Sequence, residues 1–164
     1  MIRRPALALL AWLAGVTVSY AVVEECIFDE AAQLRHYAEM ERRIEGARFD
    51  EAERLLIIER GVETISVRRG GCVHFGLVIT RTAPFVEAEA QRDAVFARAV
   101  ALVAEFGGGE LVSADEVAEA IRKEAFELAQ EEFYYLRVPG VEVFSIMWGV
   151  ADGRLTVEVG YYIN

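Results

Sequence analysis

The dipeptide Asp152-Gly153 lies between two strand-like runs, "VEVFSIMWGV" and "RLTVEVGYYIN". Asp-Gly tolerates the positive φ angles of a tight hairpin turn, so the two runs fold back on each other antiparallel. A chain that makes this hairpin must extend it into a sheet and cover at least one side of it. The first run is apolar at both parities, which predicts that it is covered on both faces.

The same reading extends upstream. "EFYYLRV" precedes the break Pro139-Gly140 and supplies a third strand to this meander. Earlier, "RLLIIER", "VETISVRR" and "CVHFGLVITR" are separated by Gly61 and by Gly70-Gly71, and their β-branched content predicts a second meander. In the last of these, Val73, Phe75, Leu77 and Ile79 share one face. Cys72, His74, Gly76, Val78 and Thr80 share the other.

Three helices fill the intervals. The first runs from about Asp29 to Glu45, with Ala31, Leu34, Ala38 and Ile44 as its apolar side and Gly46 as its stop. The second opens near Pro84 and carries the stripe Val95, Ala99, Leu102, Val103 and Phe106. The third opens on the capping box Ser113 to Glu116, with Val117, Ile121, Ala125 and Leu128 inward. The expected fold is α+β: an antiparallel sheet of about six strands in two three-stranded meanders, helices packed on one face. Val73, Gly76 and Ile79 also align with Val157, Gly160 and Ile163, which suggests an internal αβββ duplication.

The N-terminus has Arg3 and Arg4, an apolar run from Ala6 to Val18, and Ser19-Tyr20-Ala21. This is the pattern of a secretory signal peptide over 1–21, leaving a single α+β domain over 22–164. The rival reading is an uncleaved anchor, the one case in which the membrane is a partner. Only one of the 17 basic residues is lysine, a codon bias typical of GC-rich bacterial genomes, so export means the periplasm or the medium.

Without Arg3 and Arg4, 15 basic residues face 27 acidic ones, a net charge of −12. Such a surface repels nucleic acid and anionic lipid and attracts basic partners.

Both cysteines, Cys26 and Cys72, fall in the exported part, where thiols oxidise. An even count predicts a disulfide, which stabilises a fold of this loop length by roughly 4 kcal/mol. The alternatives are a reactive pair, Cys72 with His74, neighbours on one strand face, and an unpaired structural cysteine. A zinc site from Cys26, Cys72, His36 and His74 lacks any compact ligand spacing.

The familiar catalytic signatures are missing: no phosphate loop, no nucleophile elbow and no His-Glu-x-x-His. The acidic pairs Glu24-Glu25, Glu87 with Glu89, and Glu131-Glu132 read as solvated faces. No catalytic residue, metal or cofactor is assigned. What remains is the outer parity of the strands, where His74, Glu158 and Tyr162, with Tyr134 and Trp148 near them, form a mixed aromatic and polar surface suited to a protein partner. The expectation is a small exported, disulfide-bonded, non-catalytic binding protein of inhibitor or immunity type. The alternatives are an enzyme using the Cys72/His74 strand and an envelope-associated structural module.

Overall fold

A computed structural model describes residues 30–70, 75–107 and 112–163. Its elements, in chain order, are α1 (Glu30–Arg43), β1 (Ala47–Asp50), β2 (Leu55–Arg60), β3 (Glu63–Gly70), β4 (Phe75–Pro84), α2 (Arg92–Phe106), α3 (Ala114–Arg122), β5 (Phe126–Gln130), β6 (Phe133–Leu136), β7 (Val143–Ala151) and β8 (Arg154–Ile163). A 3-10 turn, Glu87–Ala90, precedes α2.

The sheet has eight strands, not six, in the order β1-β2-β3-β4-β8-β7-β6-β5, and every pairing is antiparallel. Each half is therefore a four-stranded meander, and the two halves meet along β4 and β8. The turn Asp152-Gly153 closes the β7–β8 hairpin as expected, with both residues at positive φ.

The extra strands are the two edges. β1 is only four residues, "ARFD". β5, "FELAQ", occupies positions read above as the end of the third helix. That helix stops early at a Schellman turn: Ala125 N–H donates to Ala120 O and Glu124 N–H to Ile121 O, with Glu124 itself at φ 53°. A glutamate thus holds the left-handed position that glycine usually takes. Ala125 and Leu128 leave the helix, and Leu128 is 60% exposed on β5.

The second helix starts at Arg92 rather than near Pro84, because β4 stays paired with β8 as far as Pro84 opposite Arg154. Its inward stripe of Val95, Phe96, Ala99, Leu102, Val103 and Phe106 contains every residue expected there. The first helix turns a different face inward. Gln33, Tyr37 and Met40 are buried, whereas Leu34 and Ala38 are exposed. The polar tips of that face are satisfied by the end of β3. The Gln33 amide donates to Arg69 O, and Arg69 N–H donates to Tyr37 Oη at 2.6 Å. Gly46, at φ 78°, then turns the chain into β1, and a Cβ there would lie 3.0 Å from Glu59 O.

One core lies between the helices and a single face of the sheet. Its central ladder crosses all eight strands: Phe49–Leu56–Val67–Ile79–Val159–Ile146–Tyr134–Leu128. Read from the middle outward the two halves correspond, Ile79 with Val159, Val67 with Ile146, Leu56 with Tyr134 and Phe49 with Leu128. A pseudo-twofold axis through the Ile79–Val159 pair therefore relates the meanders. The short sequence match pairs Ile79 with Ile163 instead, an offset that would put the axis on the neighbouring Leu77–Tyr161 pair. Val73, its other end, lies outside the described residues.

No described helix is long and apolar enough to cross a membrane.

Candidate binding face of the sheet

Helix packing uses up one parity of the strands and leaves the other without a covering element among the described residues. The outward residues split into two chemically different halves. Across β3, β4 and β8 runs a polar strip in which Thr64, Thr82 and Thr156 are cross-strand neighbours. The Thr82 and Thr156 hydroxyls are 3.2 Å apart, and Thr80 Oγ1 donates to Glu158 Oε2 at 3.2 Å. These bonds hold Glu158 upright at the middle of the face.

Across β6, β7 and β8 the same parity is apolar and aromatic. Tyr135, Val143, Met147 and Tyr162 are 38%, 37%, 40% and 43% exposed, and Phe133 sits 4.8 Å from Tyr135 ring to ring. The register makes them one patch: Val143 opposes Tyr162, Met147 opposes Glu158 and lies opposite Phe133, and Tyr135 opposes Ser145. Two glycines shape its floor. The Tyr162 ring lies over Gly76, where a Cβ would come within 2.8 Å of it. At Gly160 a Cβ would meet Ser145 Oγ at 3.1 Å. Glycine at position 76 lets the Tyr162 ring settle across the neighbouring strand instead of standing upright.

The patch continues into a groove of about 390 Å³ between Tyr135 and Val143 on one side and the Val138–Val141 connection on the other. Glu127, Glu142 and Arg137 form its rim. Glu142 N–H donates to Tyr162 O, and Arg137 lies 3.7 Å from Glu127.

Of the residues expected on this face, Glu158 and Tyr162 are there, four residues apart on β8. Tyr134 and Trp148 are not: both lie on the helix side. Their rings stack 5.7 Å apart, and Tyr134 meets Phe96 and Phe126 edge-on. The reason is parity. Phe144 and Ile146 point into the core, so Trp148 follows them, and Met147 takes the outward place. His74, Cys26 and Cys72 lie outside the described residues. Val143 and Met147 were missed because their run, apolar at both parities, was expected to be covered on both faces; among the described residues it is covered on the helix side alone, and Phe133 and Tyr135 of β6 were missed with them.

At the other polar concavities the charged side chains pair with one another. Arg81 is 3% exposed on the core face of β4, yet it is paired with Glu63 and with Glu89 at 3.3 Å. Its hydrogen bond holds the Glu63 carboxyl below its ordinary range. A second groove, of about 470 Å³, is lined by both signs of charge, including the Arg60–Glu105 pair. His36 is half-buried on α1, away from the open face; burial and then Arg69 push its pKa down, favouring the neutral ring. Among the described residues no three His, Cys, Asp or Glu side chains group as metal ligands.

No family model, curated protein or solved structure matches the chain.

Proposed function

We propose that this chain is an exported, non-catalytic binding protein that engages a protein partner through the helix-free face of its sheet. One observation carries the reading: Tyr135, Val143, Met147 and Tyr162 are all exposed on a single face, and all the described helices pack on the other. A monomer that leaves contiguous aromatic and aliphatic side chains in water carries a cost that a partner removes. Tyrosine and methionine are the side chains that interfaces favour, since each offers apolar area with either a polar tip or an adaptable chain.

Export through residues 1–21 and a Cys26–Cys72 bridge belong to this reading, as does placement in the periplasm or the medium. The described geometry supports the bridge from its two flanks. Gln33 and Tyr37 tie the first turns of α1 to Arg69, so Glu30 and Gly70 end near each other. Cys26 precedes the first and Cys72 follows the second within a few residues, a reach of roughly 3.5 Å per residue. We also read the two αββββ halves as an internal duplication, supported by the pseudo-twofold register. The enzyme reading rests on Cys72 and His74 and predicts free thiols. An envelope-associated module predicts retention of the N-terminal segment.

The test compares wild-type protein with Met147→Asp and Tyr162→Ala in pull-downs from periplasmic extract, at matched thermal stability. Saturable capture of one partner, lost in both variants, supports the reading. No saturable partner, or equal capture by the variants, overturns it. Thiol titration without reductant decides the cysteines: two free thiols, one of them reacting unusually fast near neutral pH, would restore the enzyme alternative.

A further inference from the structure

Resting on that reading, we infer that the partner engages the β5 edge and the adjoining groove as an extended segment of alternating basic and apolar residues. The two edges of the sheet differ. β1 is covered: Tyr37 of α1 stacks on Phe49 at 4.9 Å, and Arg48 and Asp50 place charge on the strand. β5 is open, with its residues after Phe126 exposed. Arg137 N–H donates to Ala125 O, which sets the alternation of the ladder. Glu127 therefore faces β6, and Phe126 and Leu128 turn their backbone N–H and C=O groups outward. An unprotected edge of this kind is a template for an added strand.

The side chains of β5 state what that strand must carry. On the core side Leu128 is 60% exposed beside half-buried Phe126, and both call for apolar neighbours. On the open side Glu127 and, across the groove, Glu142 call for cations, with the Tyr135 ring between them as a cation–π surface. Arg137 is the single cation on that rim among the described residues, and it is already beside Glu127. Because successive residues of an added strand alternate sides, apolar and basic positions must alternate too. The formal charge of −10 draws such a segment in from solution and disfavours the other occupants. A second copy would bring Glu127 against an acidic edge, and an anionic lipid surface would be repelled.

The probe is a labelled, amidated Lys-Val-Lys-Val-Lys-Val peptide, with Glu-Val, Ser-Val and backbone N-methylated counterparts, followed by fluorescence anisotropy. The Lys-Val peptide binds saturably and weakens as salt rises, the Glu-Val peptide does not bind, and N-methylation abolishes the ladder. Glu127→Gln with Glu142→Gln weakens binding roughly fivefold, in line with two exposed ion pairs, and Leu128→Ser weakens it further. Glu127, Glu142 and Leu128 are all exposed, so the fold is kept. Equal binding of Ser-Val and Lys-Val, or indifference to the double Gln variant, overturns the basic specificity while leaving the open-face reading intact. Indifference to N-methylation overturns strand addition. Absence of binding by every peptide overturns the inference, while the pull-down with Met147→Asp judges the open-face reading separately. Binding to phosphatidylglycerol vesicles, or a concentration-dependent dimer lost in Leu128→Ser, likewise overturns it.

Discussion

Tyr161 shows how much one side chain does here. It is wholly buried on β8, and its hydroxyl donates to Gly107 O at 2.7 Å, serving a carbonyl just beyond the end of α2. Burial pushes its pKa up to about 12. Tyr161→Phe leaves that carbonyl without its donor and is expected to cost about 1–2 kcal/mol at neutral pH. The alkaline limb has a definite sign. Because the folded pKa is raised, the contribution is complete below pH 10, the ordinary value, and fades as pH climbs toward 12. The shift corresponds to roughly 2–3 kcal/mol at most. The gap between wild type and Tyr161→Phe, measured by urea unfolding at pH 7, 10 and 11, should therefore narrow with pH. Parallel curves would remove Tyr161 as the titrating group.

At the scale of elements, Arg81 joins three pieces of chain: its own strand β4, Glu63 of β3, and Glu89 of the turn before α2. A nearly buried guanidinium is tolerable only with such partners, and deleting it strands Glu63. Arg81→Ala is expected to cost about 3 kcal/mol, the low end for breaking a buried pair. The Glu63 pKa is lowered, first by its hydrogen bond to Arg81, so its contribution is present above the ordinary carboxylate pKa of 4.5 and is lost as pH falls through the depressed folded value. Unfolding curves of wild type and Arg81→Ala should approach each other on acidification from pH 5. An unchanging gap would show that Arg81 acts by packing alone.

The β7–β8 hairpin, the α2 stripe and the Ser113–Glu116 capping box all carry local signals strong enough to read from sequence. β1 and β5 carry none. "ARFD" is too short for a pattern, and "FELAQ" is made largely of helix formers whose only stop is Glu124 at positive φ. Gln33 and Tyr37 were unreadable as core because their burial depends on a backbone partner, Arg69, far along the chain. On the candidate face, Glu158 and Tyr162 were legible from the clear alternation of β8. The assignment of Tyr134 and Trp148 failed where alternation is absent.

Across the whole molecule, the pseudo-twofold raises the question of whether half a chain is enough. β4 and β8 pair along their full lengths, from Phe75–Ile163 to Pro84–Arg154, and supply the middle of the core formed by the described residues. A fragment ending at Phe85 could in principle pair β4 with a second copy of itself, Ile79 opposite Ile79. It would then lack α2, whose Val95, Ala99, Leu102 and Val103 are buried in the shared core. A fragment from Val86 keeps α2, but two copies would set two such helices over one axis. α2 is the element that breaks the symmetry, and it fits once. Neither fragment alone should therefore unfold cooperatively, whereas an equimolar mixture should recover a single transition with native-like circular dichroism. A stable, cooperatively melting dimer of either fragment would show that the symmetry of the strands outweighs the single helix laid across them.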